Sequence, residues 1–155
     1  MKKEVKNLEE LQAVAEAFFK GLSKKPPQST ATVIGLSGDL GAGKTAFTKC
    51  VASLLGVTEM VTSPTFILEK VYDISENKFF SERYTKLVHI DAYRLERGEE
   101  MGALGWQSLL SDSHNLILLE WPEQVESALP NDMIKISFEF VNEDVRKISG
   151  EILGG

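Results

Sequence analysis

A chain of 155 residues with 43% hydrophobic and 26% charged side chains has ordinary globular composition and enough length to bury one core. Its formal charge of −6, from 17 basic and 23 acidic residues, argues against an unaided grip on nucleic acid, which depends on Lys and Arg displacing counterions. The single cysteine, Cys50, excludes an intrachain disulfide, and no apolar run approaches the roughly 20 residues of a membrane span, so the expectation is one cytoplasmic domain over residues 1–155.

In chain order, Met1-Lys2-Lys3 is followed by acidic, amphipathic sequence rather than the apolar core of a signal peptide. Leu8, Leu11, Val14, Ala15, Phe18 and Phe19 recur at three- and four-residue spacing. This predicts a core-facing amphipathic helix over Leu8–Leu22, with Asn7 as N-cap. Lys24-Lys25-Pro26-Pro27-Gln28 is a connecting loop. The stretch from Ala31 to Cys50 begins as an apolar β-branched run, passes Gly38, Gly41 and Gly43, and enters a helix-compatible segment at Lys44-Thr45. That helix is expected to bury Phe47, Val51, Leu54 and Leu55 and to close at Gly56. Cys50 fits it as a small buried hydrophobe, since no base is implied beside the thiol.

The spacing Gly38-x-x-x-x-Gly43-Lys44-Thr45, between a strand and a helix, matches a phosphate loop. Glycines let the backbone N–H groups wrap an anion, and the helix N-terminus adds a favourable dipole. Lys44 then reaches the β- and γ-phosphates and Thr45 offers its hydroxyl to Mg2+. The dinucleotide pattern G-x-G-x-x-G is not what these glycines spell.

Further on, Pro64 stiffens Ser63-Pro64-Thr65-Phe66, which reads either as a plain loop into a strand over Phe66–Tyr72 or as a loop whose hydroxyls touch ligand. Asp73 to Lys86 reads as a polar hairpin connection. Leu87-Val88-His89-Ile90-Asp91 and Leu116-Ile117-Leu118-Leu119-Glu120 are buried strands that each end in an acid. Parallel strands of an α/β sheet present ligands at their carboxyl ends, so two such acids suit a magnesium–nucleotide site; solvated strand-end acids are the plain alternative. His89 is expected on a polar strand edge and not as a metal ligand, because no second His or Cys lies at ligand spacing. Arg94, beside Tyr93 in the turn after Asp91, either supports charge developing on phosphate or pairs with a carboxylate such as Glu96. Glu100–Leu110 reads as a helix broken at Gly102 and Gly105, and Pro122 turns the chain out of its strand. Asp132–Phe140 and Val145–Ile152 form a predicted β-hairpin across Asn142-Glu143-Asp144.

Four segments, taken together, resemble the successive motifs of the TsaE family, also called YjeE. They are Gly38-Asp39-Leu40-Gly41-Ala42-Gly43-Lys44-Thr45, Ser63-Pro64-Thr65-Phe66, His89-x-Asp91-x-Tyr93-Arg94-Leu95 and Glu120-Trp121-Pro122-Glu123. The resemblance runs over nearly the whole chain in the right order. It implies a bacterial cytoplasmic ATPase with ATP and Mg2+ as cofactors, required for N6-threonylcarbamoyladenosine formation in tRNA. It further implies the TsaB and TsaD proteins as partners, tRNA met only through that complex, and no membrane. The implied fold is α/β, a P-loop NTPase-like sheet, mainly parallel with an antiparallel extension and helices on both faces.

On this reading Asp39, Leu40, Gly41, Ala42, Gly43, Lys44, Thr45 and Ala46 bind ATP. Asp91 and Glu120 are catalytic and hold the metal together with Thr45, while Ser63, Thr65, Tyr93, Arg94 and Trp121 sense the phosphate or act as switches. Glu120, longer and in the stronger Walker-B-like run, is expected to place metal and water; Asp91 is expected to be the second magnesium-shell or switch acid. Two departures stand out: Ala46 replaces a second threonine that the family often has, and Asp73–Lys86 is long for the family hairpin. Hydrolysis is expected to be slow until a partner completes the site. The rival readings are a small-molecule kinase, for which no arginine-rich lid insertion is evident, and a non-catalytic nucleotide-binding adaptor. A GTPase-like switch lacks its Asn-Lys-x-Asp signature, since Asn77-Lys78 runs into Phe79-Phe80.

Overall fold

The computed structural model describes residues 2–39, 41–59, 69–80 and 83–150. They run β1 (Lys2–Val5), α1 (Leu8–Ser23), β2 (Thr32–Ser37), α2 (Lys44–Leu54), β3 (Glu69–Asp73), β4 (Lys86–Asp91), a 3-10 segment (Gly98–Leu104), α3 (Trp106–Ser111), β5 (Asn115–Glu120), a second 3-10 segment (Pro122–Ala128), β6 (Ile134–Asn142) and β7 (Val145–Gly150). The strands form one sheet in the order β1-β7-β6-β2-β5-β4-β3. Its centre, β6-β2-β5-β4, is parallel, while β3 on one side and β7 and β1 on the other are antiparallel. This is the mixed α/β architecture expected from the sequence.

Strand composition follows from burial on both faces. β5 is buried along its whole length, and its apolar run shows no polar alternation because layers cover it above and below. On one face, α1 and α2 bring Phe18, Phe19 and Phe47 onto Leu87, Leu116 and Leu118. On the other, Met101, Trp106 and Val125 cover Val88, Ile90, Ile117 and Leu119. Trp106 donates its indole N–H to the Ala128 carbonyl at 2.9 Å, tying the covering segments together. α1 starts as predicted, with Asn7 Oδ1 accepting from the Glu10 N–H at 2.8 Å. Among the described residues no helix is long and apolar enough to cross a membrane.

Three local expectations need correction. β1 was not foreseen: only Val5 of its four residues is buried, so no alternation marks it, and pairing with β7 supplies the strand. The connection after β3 is not merely polar. Ile74, Phe80 and Tyr84 enter the core around a buried Asn77, whose side chain donates to the Ile74 and Tyr84 carbonyls and accepts from the Phe80 N–H. This connection therefore enlarges the core under α1, where Phe19 meets Phe80 edge-on with ring centres 5.5 Å apart. His89, finally, is fully buried and not on a polar edge.

Cys50 packs in the α1/α2 core, where burial pushes its thiol up from the ordinary value and keeps it protonated. Cys50→Ala is expected to lower unfolding free energy by about 1 kcal/mol through lost packing and to leave nucleotide turnover unchanged. Denaturant titration alongside an activity assay checks both; selective loss of activity in a folded variant would make the thiol functional.

Candidate functional site

The glycine-rich loop owes its path to backbone freedom at Gly38 and Gly43. Gly38 has φ +148°, and a Cβ there would meet the Phe138 carbonyl oxygen at 2.4 Å, so the loop crosses β6 only without a side chain. Gly43, with φ +110°, is the N-cap of α2, where no side chain caps the first turn. The N–H groups at that end thus point toward the cavity beside the loop, an arrangement suited to an anion.

That cavity, about 630 Å3, is lined on one side by Gly41–Ala46 and on the other by Asp91, Tyr93, Glu120 and Trp121. Parallel pairing sets the acids: Asp91 and Glu120 are direct register partners at the ends of β4 and β5, so both carboxylates leave the sheet on the same face. Glu120 in turn pairs with Leu36 of β2, the strand that feeds the loop. Acids, loop and helix end therefore meet through the sheet's register alone.

Lys44 is 5% exposed. Its ammonium hydrogen-bonds the Gly38 carbonyl, lies 3.5 Å from the Asp39 carbonyl oxygen, and sits 3.7 Å from the centre of the Trp121 ring. Burial pushes it below the ordinary lysine value, while Glu120, Glu123, Asp91 and Asp39 pull in the opposite direction. Asp91 is held above the ordinary carboxylate range, chiefly by burial and further by Glu120, against the Tyr93 N–H donated to its Oδ1 at 3.0 Å. Two acids crowded in this way form a site that gains from a cation. Among the described residues no three His, Cys, Asp or Glu side chains form a metal cage. One or two carboxylates, a hydroxyl and ligand phosphates are instead the donor set that suits Mg2+, and Glu120, Asp91 and Thr45 fit it.

The turns after the two strands are locked together. Ala92 donates to the Glu120 carbonyl at 3.0 Å, Gln124 Nε2 donates to the Tyr93 carbonyl at 3.2 Å, and the Tyr93 and Trp121 rings lie 5.1 Å apart. Trp121 takes a left-handed backbone, φ 61°, alone among the described non-glycine residues, and this aims its ring back at Lys44.

Not every predicted site residue meets here. The Asp39 side chain is exposed and acts on Lys44 only through its charge; the contact to the ammonium is made by its carbonyl. Arg94 is exposed, does not line the cavity, and among the described residues makes no ion pair with Glu96. Leu40, Ser63 and Thr65 lie outside the described residues. Conversely, sequence reasoning missed the far wall, where Asn7 and Leu8 at the start of α1 face Arg146 of β7. Arg146 Nε donates to the Gly41 carbonyl at 3.0 Å and its guanidinium lies over the Phe140 ring, so β7 steadies the glycine loop. No local signal in the sequence marked it, since the contact joins positions 105 residues apart. It also missed His89, whose Nε2 is 2.5 Å from Glu120 Oε2; the i, i+2 spacing of His89 and Asp91 already placed both on one strand face.

The family model described as "Threonylcarbamoyl adenosine biosynthesis protein TsaE" matches residues 5–148. The tRNA threonylcarbamoyladenosine biosynthesis protein TsaE of Borreliella burgdorferi is 36% identical over 116 residues, 74% of this chain and 78% of that protein. Its namesake in Bacillus subtilis is 36% identical over 122 residues, 79% and 70% of the two chains. The crystal structure of YdiB from Bacillus subtilis superposes with a TM-score of 0.71 at 29% identity, covering 99% of this chain and 86% of that one.

Proposed function

The chain belongs to the TsaE family, and from that premise we propose that it is an Mg2+-dependent ATP-binding and hydrolysing switch. It supports threonylcarbamoyladenosine formation in tRNA together with TsaB and TsaD. The observation that carries this reading is the convergence of Lys44, the α2 N-terminus and the in-register pair Asp91–Glu120 on one cavity. A phosphate chain would lie against the loop N–H groups and Lys44, and Thr45, Glu120 and Asp91 would hold the ion, which when bound would supply neutralisation of phosphate charge. Glu120 is placed to accept a hydrogen bond from an attacking water, and Lys44 to draw charge from the phosphate oxygens. The remainder of the cavity, toward Asn7, Leu8 and Arg146, has room for the nucleoside.

Steady-state release of phosphate from ATP, measured alone and with TsaB and TsaD present, tests the reading. Faster turnover in the assembly supports it. Turnover absent in both states would leave a nucleotide-binding adaptor, and phosphorylated product from a metabolite panel would make it a kinase.

Partner association is expected to depend on nucleotide state. Tyr93 is 48% exposed at the cavity mouth and packs at a tilt against Trp121, which touches Lys44; a ligand that moves Lys44 therefore changes a surface a partner can feel. Affinity for the partners measured in the apo, ADP and ATP-analogue states should differ at least several-fold, and equal values would remove the switch.

A further inference from the structure

His89, buried against Glu120, has no part of its own in the chemistry above. His89 is completely buried on a face of β4 where its strand neighbour is Leu87 and its register partner on β5 is Leu118, a place an aliphatic side chain fills without any polar cost. Among the described residues its Nδ1 has no hydrogen-bond partner, so there the ring makes a single polar contact, between Nε2 and Glu120 Oε2. A carboxylate only accepts, and Nε2 is therefore the protonated nitrogen. Glu120 lines the cavity, whereas His89 does not.

We propose that His89 is a positioning residue for Glu120: its Nε2–H pins Oε2 in the sheet and so commits Oε1 to the cavity, where the metal and its water are to be met. The proposal rests on the ATPase reading of the site. A glutamate rotates about three side-chain bonds, and without the histidine both oxygens share those orientations. Hydrogen-bonded partners behind a metal-binding group characteristically alter metal affinity 10–100-fold, an effect of order that packing does not supply.

The test compares three replacements in the full chain. His89→Phe fills the space and removes the donor. His89→Gln carries an amide N–H near the position of Nε2, whereas the amide of His89→Asn sits near Nδ1 and falls short of Glu120. Mn2+ binding to the complex with a non-hydrolysable ATP analogue is followed by its electron paramagnetic resonance signal, and analogue affinity is measured separately in EDTA. Expected are a metal affinity about 10–100-fold weaker in His89→Phe and His89→Asn, largely restored in His89→Gln, with unchanged affinity in EDTA. Wild-type metal affinity in folded His89→Phe overturns the proposal, as does equal weakening in the Gln and Asn variants. If the replacements do not fold, wild-type protein decides: the His89 Nε2 resonance, protonated in the apo state, should shift when metal joins the nucleotide complex, and a fixed resonance overturns the role. Failure of the ATPase reading is separate, because then the wild type itself shows no metal-dependent nucleotide binding.

Discussion

Lys44→Ala is expected to weaken ATP binding about 100-fold, as loss of a charge-assisted contact to phosphate in a site largely screened from water implies. The reasons lie in its surroundings. The ammonium is buried, below its ordinary proton affinity, and held by a carbonyl of the glycine loop and the Trp121 ring. A cation so poorly hydrated gains more from a phosphate than an exposed one does. Alanine also removes the buried aliphatic stem, so Lys44→Met serves as control: it keeps most of the stem and should lose nearly as much affinity. Isothermal titration of ATP into each protein is the measurement. An unchanged dissociation constant in Lys44→Ala would mean the phosphates lie elsewhere.

Glu120→Gln is the second large effect: turnover should fall on the order of 100-fold or more while ATP affinity stays within a few-fold. The amide keeps the shape of the carboxylate, and its oxygen still accepts from His89, so the change is chiefly one of charge. Asp91→Asn differs in kind. Asp91 Oδ1 is held by the Tyr93 N–H in the turn that carries the Tyr93–Trp121 ring contact. Its replacement should lower turnover and also blunt the partner's discrimination between ATP and ADP. Single-turnover hydrolysis and partner affinity, measured for both variants, separate the roles: full turnover rejects an acid's catalytic part, and normal discrimination in Asp91→Asn rejects its switch part.

The features legible in the sequence are those that local periodicity writes directly. The stripe from Leu11 to Leu22 and the cap at Asn7 define α1 before any tertiary contact is known. The apolar runs ending in Asp91 and Glu120 lack polar alternation and so mark two buried strands that each deliver an acid, while their direct register pairing appears only in the folded sheet. Whatever depends on distant pairing stayed hidden. β1 is charged and short, and only β7 makes it a strand. His89 reads as polar because its residue type is polar; a partner 31 positions along the chain makes it a core residue. Trp121's left-handed turn answers to Lys44 and Tyr93, neither of which lies beside it in sequence.

The pairing of β1 with β7 also bears on the order of synthesis. Lys2 faces Ser149 across that ladder, so the first described strand has no partner until almost the last has left the ribosome. At ordinary elongation rates of about 5–20 residues per second, β1 waits roughly seven to thirty seconds. Late in that interval, once Glu120 has been made, the glycine loop and both acids exist, but the wall carrying Arg146, whose side chain braces Gly41, does not. On the proposed reading, a nascent chain carries the phosphate-binding half of its cavity before the half that would close around the rest of a nucleotide. Ligand capture would then fall to the finished sheet, with the nucleotide binding a folded subunit rather than templating an unfolded one.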